Sequence, residues 1–476
     1  MSQPNVQLSD QFNNNGRMQP ARNLRTKLTL LVLLCGSFAV SHAAAQNQRL
    51  PNFVIIMADD MGYGDAGCYG GTHISTPHLD QLAAAGMRFT DFHSSGNVCS
   101  PTRAGLLTGR YQYRAGLDQV VNADPGIPVH HAGLQPEEFT FAEALKAQGY
   151  ASGIMGKWHL GYHVKYNPIH QGFAAFHGFV SGNIDYVSHL DRVNTPDWWN
   201  GTQLQDEPGY STHLITQHAL SFIDQHKAGP FCLYVAHEAV HAPWQAPGDP
   251  AQRGPTASSK EEPSPRAETF HAMMSALDDG VGQIVARLQH HGLTDHTLVF
   301  FLSDNGPAGG SAGPLRGRKG SDWEGGHRVP AIASWPGRIP PGTISRQLAI
   351  SLDLMPTMLE FANIAAPVDR PLDGISLAAT LLNRREPMNR QLFWNHKAMR
   401  DGPWKLILGG KGTRADSIGL YNLADDLAES VNLAQAEPAR VAAMQRALQE
   451  WTADVTSNVT SQPDELAVRR QQKSKD

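Results

Sequence analysis

The residues with the most chemical content form one string, Cys99-Ser100-Pro101-Thr102-Arg103, continued by Ala104-Gly105-Leu106-Leu107-Thr108-Gly109-Arg110. Ser100 reads as a helix N-cap, Pro101 as the first helical residue and Gly109 as the stop. A thiol would then stand at the positive end of a short helix, with Arg103 one turn inside, where an anionic substrate is attracted. The plainer alternatives are a thiol of lowered pKa, or a buried structural Cys that happens to precede a helix.

Two acidic pairs follow directly on apolar runs: Asp59-Asp60 after Phe53 to Met57 and Ala58, and Asp304-Asn305 after Val299 to Leu302. Four such side chains at one sheet edge make a hard-cation site, suited to Ca²⁺ or Mg²⁺ rather than zinc, with ligand number and flexibility favouring Ca²⁺. Either pair alone reads more readily as a turn; both together, beside the cysteine string, reverse that. Lys157 and His159 stand two apart after the run ending at Met155 and project the same way from extended chain. They suit anion binding and proton transfer, against the bland reading of a solvated Lys and a loop His. His237-Glu238-Ala239-Val240-His241-Ala242-Pro243 offers further imidazoles. The i,i+4 spacing of His237 and His241 would suit zinc on a helix, but Pro243 and the lack of an acidic partner in register argue against it. Leu315-Arg316-Gly317-Arg318-Lys319-Gly320 is a Gly-rich basic loop, fit for an anion or for plain solvation.

Apolar strands alternating with amphipathic helices must position these groups. The pattern predicts strands over 52–57, 87–92, 150–155, 231–236, 297–302 and 329–335, and helices over 77–85, 141–148, 212–226 and 267–290. Near-continuous apolar strands imply an α/β fold: a large, mostly parallel sheet sandwiched by helices, with ligands beyond the carboxyl ends of the strands. Residues 167–209, with His, Trp, Tyr and Gly but no periodicity, are a candidate substrate-recognition insertion, and 246–265 an excursion loop. After about residue 375, short antiparallel strands over 392–395, 404–408 and 419–423 precede a helix over 438–455. The expected layout is a catalytic α/β domain over 46–375 and a smaller C-terminal α+β domain over 376–476.

In order and spacing these segments resemble the sulfatase family over residues 50 to 425, including Trp323-Glu324-Gly325-Gly326-His327-Arg328-Val329-Pro330. In that family the Cys of the C-S-P-T-R string is oxidised to formylglycine, an aldehyde whose hydrate is the nucleophile. The resemblance implies that Asp59, Asp60, Asp304 and Asn305 bind one divalent cation, Ca²⁺ ahead of Mg²⁺, touched by Cys99 as formylglycine. Arg103, Lys157 and Lys319 would neutralise the nucleophile and the sulfate oxygens, and His159 and His241 would transfer protons. The family also places a Ser in the region of Ser181. The implied reaction is hydrolysis of an alcohol or sugar sulfate monoester through a sulfated covalent intermediate, after a formylglycine-generating enzyme has acted. The implied substrate is a sulfated saccharide. The runner-up is a phosphodiester or phosphonate monoester hydrolase on the same scaffold. An inactive glycan-binding homologue is the third reading, and the intact nucleophile counts against it.

The 39 basic and 44 acidic residues, with no long run of one sign, argue against nucleic acid as a partner. Arg22, Arg25 and Lys27 precede the apolar run Leu28 to Val40 and the small residues Ala43-Ala44-Ala45. That pattern predicts a secretory signal peptide over 1–45, with Met18 an alternative start. The run is short for a transmembrane helix, so the expectation is an exported protein, periplasmic or secreted, without stable membrane insertion. Export leaves Cys68, Cys99 and Cys232, and Cys68 and Cys232 either pair or stay free.

Overall fold

Alternation along the first strand decides the architecture. In β1 (Asn52–Ala58), Phe53, Ile55 and Met57 enter one buried apolar cluster while Val54, Ile56 and Ala58 enter another. A side-chain period of two thus feeds two cores, one on each face of the sheet. The computed structural model describes residues 49–254, 264–384, 387–409 and 417–462; the predicted signal peptide and Met18 lie outside them. Among the described residues no helix is long and apolar enough to cross a membrane.

Further strands are β2 (Met87–Phe89), β3 (Phe92–His93), β4 (Ala151–Lys157), β5 (Ala175–Phe179), β6 (Trp199–Asn200), β7 (Gln203–Leu204) and β8 (Phe231–Ala236). They are followed by β9 (Thr297–Ser303), β10 (Ala331–Ser334), β11 (Thr343–Ser345) and β12 (Ala349–Ile350). The main sheet runs β11-β2-β10-β9-β1-β8-β4-β5-β6-β7. Its centre, β9-β1-β8-β4-β5, is parallel, whereas β10, β6 and β7 pair antiparallel. The expected α/β sheet is present, with antiparallel strands toward its margins. Helices Cys99–Thr108, Phe141–Lys146 and Leu354–Phe361 cover one face; Pro77–Ala84, Ser211–His226 and Ala267–His290 cover the other.

Two stretches differ from expectation. Residues 87–92 are not one strand: β2 joins the main sheet and β3 pairs with β12. Residues 167–209 contain β5, whose Ala-Phe-His-Gly-Phe sequence lacks an apolar run. Gly178 of β5 lies opposite Gly156 of β4. A Cβ on Gly178, at φ 154°, would stand 2.0 Å from the Gly156 carbonyl oxygen. Close backbone approach selects glycine there and hides the strand from a hydropathy pattern.

The C-terminal region forms an antiparallel sheet of β13 (Gln391–Trp394), β14 (Ala398–Asp401), β15 (Trp404–Leu408) and β16 (Ile418–Asn422), with the Pro438–Ser457 helix. Trp394, Leu406, Leu420, Leu448 and Trp451 share a core cluster there with Tyr111 and Tyr113. A buried ion network joins this sheet to the large one. Glu324 accepts from Arg328 (3.2 Å), Arg400 (2.9 Å) and Lys405 (2.9 Å), and Asp91 accepts from Arg400 (3.0 Å) and pairs with His93 (2.9 Å). His93, Glu324 and His327 have the spacing of a metal site. However, the Lys405 ammonium lies 2.8 Å from His327 Nε2 and already supplies the cation.

Burial would raise the Glu324 carboxyl, but Lys405 and Arg400 outweigh it and hold the group well below its usual range. Glu324→Gln takes the close carboxylate from Lys405 and leaves Arg400 with Asp91 alone, so the unfolding free energy should fall by about 3 kcal/mol. A denaturant melt at pH 7 measures it. The wild-type advantage is complete above the unfolded glutamate value of about 4.3. It is lost as pH falls through the lower folded value, so the two proteins should converge on acidification.

Candidate active site

Four adjacent parallel strands end at one edge and deliver the site. Asp59 and Asp60 follow β1, Lys157 closes β4, His237 to His241 follow β8, and Asp304 and Asn305 follow β9. Backbone bonds lock the edges together: Asp59 N–H donates to Ala239 O (3.0 Å), Val240 N–H to Asp59 O (2.8 Å) and Asp304 N–H to Ala58 O (3.1 Å). Asp60 and His159 adopt left-handed backbone at φ 62° and 56°, a strained conformation of the kind stored at functional sites.

Cys99 reaches this edge from the start of a helix. Its helix spans Cys99–Thr108 with Val98 as N-cap, so the expected N-cap at Ser100 is corrected. Ser100 is already helical, and its hydroxyl accepts from Val121 N–H (3.1 Å) instead. Gly109 ends the helix at φ 64°, as its sequence position predicts. The lowered-pKa alternative for Cys99 finds no support in the surroundings of the thiol. Burial, with Asp59 beside it, pushes the thiol up to about 12 despite Lys157 and Lys319.

The candidate side chains converge on that thiol. Cys99 Sγ lies 3.6 Å from Asp59 Oδ1 and 3.4 Å from Lys319 Nζ. Lys157 donates to Asp59, and Lys319 lies 2.5 Å from Asp60 Oδ1. Arg103 donates to Asp304 Oδ2 (2.9 Å) and to Lys157 O (3.1 Å). Burial opposes the Lys319 charge, but Asp60 holds it well above the ordinary lysine range. Asp59 holds Lys157 up in the same way against burial. Burial and then Lys157 hold His159 well below its usual value; burial and then Lys319 lower His241. His159 Nε2 bonds Val121 O (2.9 Å) while its buried Nδ1 has no partner.

The oxygens of Asp59, Asp60 and Asn305 suit a hard cation, and the Cys99 thiol and His241 imidazole stand beside them. Ligand atoms of Asp59, Asp60, Cys99 and His241 all lie within 4.8 Å of one another. Asn305 Nδ2 donates to Asp60 Oδ1 (2.7 Å), and its buried Oδ1 has no hydrogen-bond partner. Asp304 is engaged by Arg103 and by Asp60 N–H (3.2 Å). The rival zinc pair does not form. His237 is fully buried, and a Cβ on Gly280 of the 267–290 helix would lie 3.5 Å from its Nε2.

A cavity of about 220 Å³ opens over Cys99, walled by His159, His241, Lys319, Tyr162, Asn183 and Arg192 among others. Asn183 and Arg192 come from the segment expected to recognise substrate. Ser181 does not face the cavity: its hydroxyl donates to Asn183 O (2.9 Å) and its N–H to Asp197 (2.8 Å). Asn183 and Tyr162 were missed by the sequence reading, although Tyr162 follows a strand end closely. The Val120–Ala123 wall carries no sequence signal of its own.

Residues 51–364, which hold all of these candidate residues, match the sulfatase family profile. The chain belongs to the sulfatase family. This sulfatase is 34% identical to arylsulfatase A of Homo sapiens over 510 aligned positions, covering 92% of this chain and 93% of that protein. It is 37% identical to N-acetylgalactosamine-6-sulfatase of Canis lupus familiaris over 371 positions, 72% of this chain and 68% of that one. The crystal structure of Ps i-CgsB in complex with k-i-k-neocarrahexaose superposes with a TM-score of 0.77 at 27% identity, covering 88% of this chain and 96% of that one. Cys68 and Cys232, whose pairing the sequence leaves open, are free thiols.

The Trp323–Pro330 motif of this sulfatase has a mechanical explanation. A Cβ on Gly326 would lie 2.0 Å from Ser321 O, and one on Gly306 would lie 1.8 Å from Gly325 O. Backbone thus packs on backbone between the Lys319 loop and Asp304-Asn305. Gly326→Ala must displace that loop, and a shift near 1 Å at a reacting group costs on the order of a hundredfold. Steady-state kinetics on an aryl sulfate should show that fall in kcat/KM.

Proposed function

We propose that the chain is an exported, formylglycine-dependent sulfuric ester hydrolase that removes sulfate from a sulfated saccharide. Asp59, Asp60, Asp304 and Asn305 would hold one Ca²⁺ beside residue 99, once a formylglycine-generating enzyme has converted it. The carrying observation is the position of Cys99, 2% exposed, between the Asp59 carboxylate and the Lys319 ammonium at the floor of the cavity. A thiol there is a poor nucleophile, whereas a hydrated aldehyde at the same carbon offers two hydroxyls.

One hydroxyl, ionised by loss of its proton to solvent, attacks sulfur, and the bond from sulfur to the alcohol oxygen breaks. The alcohol takes its proton from Lys319 or His241; Lys319 is the one kept protonated by its carboxylate neighbour. The second hydroxyl gives its proton to His159 as the bond from the carbon to the sulfate oxygen breaks, releasing sulfate and regenerating the aldehyde. The unpartnered His159 Nδ1 is free to accept that proton, because Nε2 is occupied by Val121 O. When bound, the cation supplies the positive charge that favours ionising the first hydroxyl and steadies the sulfate oxygens.

Charge supports sulfate over phosphate. Asp59, Asp60 and Asp304 balance Arg103, Lys157 and Lys319 one for one. A divalent cation then leaves an excess that matches an ionised nucleophile plus one singly charged ester, whereas a phosphate monoester brings nearly two charges.

An aldehyde-reactive probe should label protein co-expressed with a maturation enzyme and spare Cys99→Ala. Active enzyme with an unmodified thiol would overturn the mechanism. Elemental analysis should give one Ca²⁺ per chain, and its removal should lower both Tm and turnover; stoichiometric zinc would sink the assignment. Sulfate monoesters should be hydrolysed well ahead of matched phosphate monoesters. A preference for phosphodiesters or phosphonates over every sulfate ester would replace this function with the runner-up.

A further inference from the structure

We infer that Arg192 reads a second anionic group on the substrate, so that the preferred sulfate esters carry another sulfate or a carboxylate beside the one removed. The inference rests on the sulfatase reading and extends it to substrate class.

Arg192 is exposed yet belongs to the wall of the cavity that opens over Cys99. The only other Lys or Arg in that wall, Lys319, is committed to Asp60 at 2.5 Å. Among the described residues no carboxylate lines the cavity, and Arg192 makes no hydrogen bond or ion pair. Among the described residues, Arg192 therefore stands at the cavity wall with no carboxylate paired to it.

The backbone that carries Arg192 is built rather than loose. Asp191, 3% exposed, turns its carboxylate inward to accept from Val193 N–H and Thr195 N–H, both at 2.9 Å. Leu190 O accepts from Asp185 N–H (2.8 Å) and from the Arg253 guanidinium (3.1 Å). The turn thus spends its own carboxylate on backbone and leaves the adjacent cation free. The cavity, about 220 Å³, is smaller than the roughly 300–1,000 Å³ of a drug-sized site. It holds about one ring, so an anion reached by Arg192 sits on the same ring as the scissile sulfate or on its immediate neighbour. A planar guanidinium suits carboxylate and sulfate oxygens alike.

The test uses matured enzyme and three matched aryl sulfates: 4-nitrophenyl sulfate, a ring-carboxylated analogue and a ring-disulfated analogue. Wild type should favour one or both doubly anionic esters by about 2- to 5-fold in kcat/KM, mainly through KM. Which of the two gains identifies carboxylate or sulfate as the partner. Arg192→Ala should abolish the preference by lowering kcat/KM for the doubly anionic esters more than for 4-nitrophenyl sulfate, Arg192→Lys should keep part of it, and 0.5 M salt should weaken it in wild type, as an exposed ion pair requires (the screening length is then about 4–5 Å). Equal losses on all three esters, or no preference in wild type, would overturn the inference while leaving the sulfatase reading intact. Failure of wild type to release sulfate from any of the three would remove both.

Discussion

One guanidinium ties the site together. Arg103, fully buried, reaches Asp304 after β9 at 2.9 Å, Asp59 after β1 at 3.4 Å and the Lys157 carbonyl at the end of β4 at 3.1 Å. Three strand ends and the Cys99 helix are thereby fixed to one planar group. A lysine there could supply the charge but not the fork. Bringing this many charges out of water costs several kcal/mol per ion, and only close, mutual pairing offsets it. The sheet's two apolar cores provide the rigidity that keeps the pairs in register.

The second constraint is backbone proximity. Gly156 is built against Ala236 O and Gly178 against Gly156 O, each at 2.0 Å for an added Cβ. This row crosses the sheet just below Lys157 and His237, so neighbouring strand ends approach more closely than side chains would permit. The Gly306, Gly325 and Gly326 contacts repeat the device on the other side of Asn305. Both sets of glycines lie beside the chemistry.

This explains how much the sequence disclosed. Strands β1, β8 and β9 were legible because both faces are buried and the runs are apolar. Asp59-Asp60 and Asp304-Asn305 were legible because they follow those runs directly. β5 was hidden because glycine and histidine occupy it for reasons of close approach and local pairing. The start of the Cys99 helix shifted because Ser100, a strong capping residue in isolation, spends its hydroxyl on Val121. Asn183 and Arg192 lie on turns whose reach into the cavity depends on long-range anchors, Arg253 on Asn183 Oδ1 (3.1 Å) and on Leu190 O (3.1 Å). No local pattern encodes such a contact.

The small sheet is coupled to the chemistry by the same logic. Arg400 of β14 and Lys405 of β15 both grip Glu324. Gly325 and Gly326 follow Glu324 directly and abut Gly306, which follows Asn305. Lys319 stands on the same loop, a few residues upstream, and Asp322 on it accepts from Asn97 (3.1 Å) and Asn395 (2.5 Å). The C-terminal sheet therefore braces the loop that carries the Lys319 ammonium. A loop bearing a lysine in open solvent would sample many positions. Clamped between Glu324 and Asn97, it presents Lys319 to Cys99 and Asp60 together.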